Sequence, residues 1–160
     1  MEYEIIRDLS EEQIEKIKKE YRRSFNFENT IAFKVNGVYV GFGVAYFISG
    51  RLTVEYYLFH EFQNQGYGSA LVSIVSDAIG SDYPLYDSLY LLIYKENVPS
   101  MKVALKSGYK MECLDWEFRN MIEDDMPEYY VLSKKNSYYK ELALKKAWNI
   151  VLFKRGILNL

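Results

Sequence analysis

Cysteine and histidine are almost missing from this chain of 160 residues, with Cys113 and His60 the sole examples. One cysteine excludes an intrachain disulfide, and a cytoplasmic, reducing location is expected. One cysteine and one histidine leave no metal cluster unless carboxylates dominate it, so no metal is expected. The opening "MEYEIIRDLS" lacks the basic and apolar blocks of a secretory leader. Long hydrophobic runs are lacking too. The longest, "VYVGFGVAYFI", falls well short of the ~20 residues that a membrane-spanning helix needs. No repeat or low-complexity tract interrupts the chain. A soluble single domain is the expectation.

Tyrosine, by contrast, is abundant, with 16 residues in a chain that is 17% aromatic. An amphipathic ring suits a partly wet cleft or interface, or simply a tyrosine-rich surface. Charge is unevenly placed. The net charge is −2, yet residues 133–160 carry seven Lys and Arg against Glu141 alone, which leaves an acidic body and a basic tail.

The pattern alternates strands and helices. "EYEIIRDL" reads as a strand, and "SEEQIEKIKKEYRRSF" as an amphipathic helix. Ser10 and Gln13 are spaced there as a capping box, and Leu9 and Ile14 as a hydrophobic staple. Asn36-Gly37 joins "TIAFKV" to "VYVGFGVAYFI" as a hairpin, and Ser49–Arg51 turns the chain into a further strand, "LTVEYYLF". "SALVSIVSDAI" puts Leu71, Ile74, Val75, Ala78 and Ile79 on one helical face. "SLYLLIY" is an apolar run typical of a strand covered on both faces. "NVPSMKVALKSGYK" reads as a helix capped by Asn97 and ended at Gly108. "MECLDWEF" and "EYYVLSK" read as two late strands around an acidic "EDD" loop, and the segment from Ser137 as a basic amphipathic helix. This order predicts an α/β fold with a mixed, mostly antiparallel sheet and helices on both faces. The domain is expected to span 1–135, with 136–160 a basic helical extension.

The junction "FQNQGYGSAL" places Gly66 and Gly68 between a strand and a helix. Amides at a helix start lack intrahelical acceptors and favour negative charge, so bare backbone there suits a phosphate. A Walker loop is excluded because no Gly-Lys-Ser/Thr follows. A dinucleotide fingerprint is excluded because Leu71 stands where the third glycine belongs. "GFG" at 41–43 lies within a strand and suggests a bulge or a close approach.

Gln63-Asn64-Gln65-Gly66-Tyr67-Gly68 resembles the Q/R-x-x-G-x-G/A motif of the GNAT superfamily of N-acetyltransferases. The resemblance extends to Asn97 after a fifth strand, to Gly108-Tyr109, and to the element order over roughly residues 3–133. It implies a sheet splayed between strands four and five, and acetyl-coenzyme A (acetyl-CoA) as cosubstrate. It implies a pyrophosphate on the amides of Gln65, Gly66, Tyr67, Gly68 and Ser69, with Gln63 and Asn64 shaping the loop. The pantetheine arm would pair with backbone at Tyr56 and Leu58 and touch Asn97, and the Leu58 amide would polarise the thioester carbonyl.

Acetyl transfer to a primary amine needs a base and a proton for the leaving thiolate. Glu55, on the strand lining the expected cleft, is the candidate base, or else an ordinary solvent-facing glutamate. The position where the family usually places a proton-donating tyrosine is Ala104 here. Three outcomes follow from that departure: the thiolate leaves unassisted, a shifted residue such as Tyr94 or Ser100 helps, or the protein is a non-catalytic acyl-CoA-binding regulatory module. His60 is either an exposed turn residue or a phosphate or adenine contact, Cys113 a small buried strand residue, and "EDD" a solvated loop or an attractor of a cationic acceptor. Trp148, Val151 and Leu152 give the basic tail an apolar stripe. That stripe suits docking on the acidic body or a homodimer partner, with an anionic membrane surface less favoured. Nucleic acid is not expected, since the acidic body repels it.

Overall fold

The computed structural model of the protein describes residues 1–21, 27–112 and 129–140. Seven strands form one sheet in the order β1-β2-β3-β4-β5-β7-β6. They are β1 (Tyr3–Ile6), β2 (Thr30–Val35), β3 (Val38–Ile48), β4 (Arg51–Leu58), β5 (Ser88–Tyr94), β6 (Lys110–Met111) and β7 (Tyr129–Lys135). Among the described residues three α-helices accompany them: α1 (Glu11–Glu20), α2 (Gly68–Asp82) and α3 (Val98–Lys106). All neighbouring strands run antiparallel except β4 and β5, which run parallel. The expected mixed, mostly antiparallel fold is the one observed.

Local chemistry sets the element ends. Ser10 and Gln13 form the full capping box of α1, each side chain bonded to the other's backbone N–H. Asn36 and Gly37 both take positive φ (49° and 78°), the conformation a two-residue hairpin turn demands. Asn97 caps α3 through its side chain, which accepts from Ser100 N–H at 3.3 Å.

The sheet buries both faces. On one, α2 and α3 cover Val54, Leu89, Leu91 and Ile93. On the other, Ile17 of α1 closes over Phe42 and Phe59. Gly43 permits the first contact, since a Cβ there would run into the Val75 side chain of α2. Gly41 similarly lies against the Tyr57 carbonyl, and a register shift opposite Phe33/Lys34 marks a bulge beside it. "GFG" is thus a close approach, and the bulge falls just before it at Val40.

Three expectations are corrected. The buried stripe of α2 is Leu71, Val72, Val75, Ser76, Ile79 and Gly80, while Ile74 and Ala78 are half-buried. The stripe is rotated because small residues receive neighbours: Ser76 bonds the Tyr109 hydroxyl at 2.7 Å, and Gly80 faces Asn136. β5 alternates buried and half-buried residues, so its second face is only partly covered. Ser137 and Tyr138 form a turn closed by Tyr139 N–H donating to Asn136 O at 3.1 Å, so no helix starts at Ser137. Asn136 itself is buried and belongs to the body, latched onto the end of α2 by bonds to Gly80 O and Tyr83 O (3.0 and 3.2 Å). The remaining tail, Cys113 and the "EDD" loop lie outside the described residues.

Candidate active site

β4 and β5 touch at one paired position, Thr53 opposite Tyr90. Beyond it the two strands separate towards their C-terminal ends, as the sequence led us to expect. The β3 register fixes what β4 shows to the gap. Phe59 N–H donates to Val40 O at 3.0 Å, and Leu58 lies opposite Gly41 and Tyr56 opposite Gly43. Hydrogen-bonded and non-bonded pairs alternate along an antiparallel ladder, so the N–H and C=O of Leu58 and Tyr56 turn away from β3, towards the gap. The Leu58 carbonyl is taken by Gln63 Nε2 at 2.9 Å, which ties the following loop to the strand end.

That loop delivers α2 with its first turn uncapped. Tyr67 at the N-cap supplies no side-chain bond, and the first helical bond is Leu71 N–H to Tyr67 O at 2.9 Å. The amides of Gly68, Ser69 and Ala70 therefore have no intrahelical acceptor. Gly66 takes φ +85°, where a side chain is strained, although the space beside it is open. Gly68 has a different reason to be bare: a Cβ there would press on Val103 Cγ2 of α3 at 3.3 Å. Helix packing alone accounts for Gly68, and backbone conformation for Gly66.

A cleft of about 580 Å3 runs from the β4 end to the start of α2, lined by Tyr56, Leu58, Gln63, Asn64, Gly66, Gly68, Ser69 and Asn97 among others. Of the residues expected to hold the cofactor, Gln65 and Tyr67 do not line it. Gln65 instead donates to Glu61 O at 2.7 Å, and Tyr67 packs on the core. A second cavity of about 220 Å3 adjoins the cleft, lined by Tyr21, Glu55, Tyr94 and Tyr129 among others. Tyr56, Tyr57, Asn97 and Ser100 line both. They form the passage between the two spaces.

Glu55 faces the smaller cavity and accepts a hydrogen bond from the Tyr21 hydroxyl at the end of α1. Burial pushes its carboxyl up to about 6. Tyr94 forms the outer wall, its ring tilted 30° against Tyr129 with ring centres 4.3 Å apart. His60 stands apart from the cleft in a groove against α1, where its N–H donates to Glu20 and its ring meets the Tyr57 hydroxyl at 3.3 Å. It is exposed and begins a short 3-10 helix, His60–Phe62.

Sequence reasoning missed Tyr21, Tyr129 and Glu20 as cavity or groove residues. The Tyr21–Glu55 bond joins residues 34 apart, through sheet and helix packing that no local pattern encodes.

Residues 1–110 match the model of the acetyltransferase (GNAT) domain. Solved structures share the fold at low identity. N-acetylglutamate synthase from Neisseria gonorrhoeae, in complex with coenzyme A and N-acetyl-glutamate, superposes with TM-score 0.65 at 13% identity, over 85% of this chain and 35% of that one. A chimeric spermidine N-acetyltransferase from Vibrio cholerae gives 0.64 at 14%, over 85% and 98%. The ribosomal-protein-S18-alanine N-acetyltransferase from Escherichia coli gives 0.57 at 12%, over 88% and 97%. No curated protein sequence matches. With a splayed sheet, an uncapped loop–helix junction and a family match over more than half its length, the chain belongs to the GNAT acetyltransferase family.

Proposed function

We propose that this protein transfers an acetyl group from acetyl-CoA to a primary amine by direct attack in a ternary complex. The observation that carries this reading is the continuous cleft from the outward-turned backbone of Tyr56 and Leu58 to the uncapped start of α2. Backbone there offers strand-like pairing to an extended amide-bearing chain, and the amides of Gly66, Gly68 and Ser69 suit its pyrophosphate. The chemistry of the donors fits coenzyme A along both its pantetheine arm and its diphosphate.

The amine occupies the smaller cavity in this reading. Glu55 accepts its proton as the nitrogen attacks the thioester carbonyl carbon, and the Leu58 N–H donates to the carbonyl oxygen. With its carboxyl near 6, Glu55 is ionised at neutral pH yet basic enough to take that proton. Tyrosines 21, 57, 94 and 129 wall the cavity, which favours an amine on an apolar or cationic chain. Holding both reactants together supplies much of the rate.

The test is thiol release from acetyl-CoA with a panel of spermidine, L-glutamate, an alanine-initiated peptide and kanamycin. Release above the enzyme-free rate with any amine supports the proposal. Thermal stabilisation by coenzyme A without release for any amine of the panel refutes it in favour of a regulatory binding module. Absence of stabilisation refutes both.

A further inference from the structure

Resting on the proposed acetyl transfer, we propose that the Tyr56 hydroxyl, supported by Ser100, donates the proton that the departing thiolate takes. Four residues line both spaces at the passage, and acetyl-CoA in the cleft with the amine in the smaller cavity would bring the bond being broken to where they meet. Three of the four carry hydroxyls. Tyr57 is turned to the α1 side, where its hydroxyl meets Glu20 Oε1 at 3.4 Å and His60. Tyr56 and Ser100 bond each other, and the Tyr56 hydroxyl also approaches Ser100 O at 3.4 Å. One phenol therefore stands at the junction, held by two contacts to one helical turn.

The position of that turn matters. A helical side chain leans towards the helix N-terminus, over the turn before its own Cα. A tyrosine at 104 would lay its hydroxyl over the turn at Ser100. Ala104 leaves that spot to a phenol arriving from β4 instead, and the bond to Ser100 brings Tyr56 to it. Burial raises the Tyr56 pKa above the ordinary tyrosine value, so the hydroxyl is protonated at neutral pH and able to donate. Tyr94 lacks this placement, since it lines only the outer cavity and is 40% exposed.

The step balances without an outside reagent. The N–C bond forms and the C–S bond breaks, and sulfur leaves with the bonding pair and takes the Tyr56 proton. The phenolate regains a proton through the Ser100 hydroxyl from solvent, while the proton of the amine goes to Glu55. One proton passes in total from amine to sulfur.

Tyr56→Phe keeps the ring and its packing, and the experiment measures kcat, the pH profile and the dissociation constant for coenzyme A. General acids contribute about 10²–10⁴-fold, and a thiol is a fair leaving group, so a kcat loss of roughly 30–100-fold is expected. Coenzyme A affinity stays within about threefold, and the fall of kcat at high pH, where the phenol ionises, disappears. Ser100→Ala lowers kcat less and keeps that high-pH fall. A kcat within threefold of the parent, or equal losses in kcat and coenzyme A affinity, overturns the assignment while leaving acetyl transfer intact. Failure of the parent protein to release thiol with any amine of the panel overturns both.

Discussion

Replacing Glu55 by Gln isolates one buried charge, and its effect follows from the site. Burial among Tyr21, Tyr56 and Tyr57 raises the Glu55 carboxyl from 4.5 to about 6. At about 1.36 kcal/mol per pH unit, the ionised form costs the folded state roughly 2 kcal/mol. The sign follows from proton counts. Below pH 4.5 the carboxyl is neutral both folded and unfolded and contributes nothing. Between 4.5 and 6 the folded chain keeps a proton that the unfolded chain loses, so stability falls as pH rises and stays lower above about 6. Glutamine never ionises. Urea unfolding of both proteins at pH 4 and pH 8 should show the variant gaining roughly 2 kcal/mol on the parent between the two, or about 4–8 °C in Tm. All other carboxyl groups titrate in both proteins and cancel. A difference that is equal at the two pH values, or a relative gain by the parent at pH 8, refutes the assignment of a desolvated carboxyl. In the rate profile, the same carboxyl predicts a fall in kcat/KM below about pH 6 that the variant lacks.

Two further outcomes test the framework that holds the site. Gly43→Val drives a side chain into Val75 and should cost about 1–3 kcal/mol in urea unfolding, with partial relief from Val75→Ala. Asn136→Ala removes the side-chain N–H bonds to Gly80 O, Tyr83 O and Tyr86 O (3.0, 3.2 and 2.9 Å), the first of them buried. A loss of at least about 2 kcal/mol is expected, and one under about 0.5 kcal/mol would show the latch to be dispensable.

Local chemistry was largely legible in the sequence. Ser10/Gln13, Asn36-Gly37 and Asn97 each act within four residues, where spacing alone fixes the geometry. The motif at 63–68 and the family order pointed to the cleft, which Gln63, Asn64, Gly66, Gly68 and Ser69 line while Gln65 and Tyr67 do not. What lay hidden depends on twist and packing at long range. Tyr21 reaches Glu55, Tyr56 reaches Ser100 and Asn136 reaches Gly80 across separations of 34, 44 and 56 residues. Hydrophobic periodicity also misphased α2, because Ser76 and Gly80 are buried for what they accommodate rather than for apolar area. Gly68 likewise signalled a close approach, but by Val103.

Calorimetric titration of coenzyme A into the parent protein and into Gly66→Glu asks whether the loop around Gly66 holds the diphosphate of acetyl-CoA. Open space beside Gly66 accommodates the new side chain, and its positive φ adds strain of only about 1 kcal/mol, so the variant folds. One-to-one binding by the parent is expected, with a loss of at least tenfold in the variant as a carboxylate meets the phosphates. Equal affinities, or no binding by the parent, would contradict it.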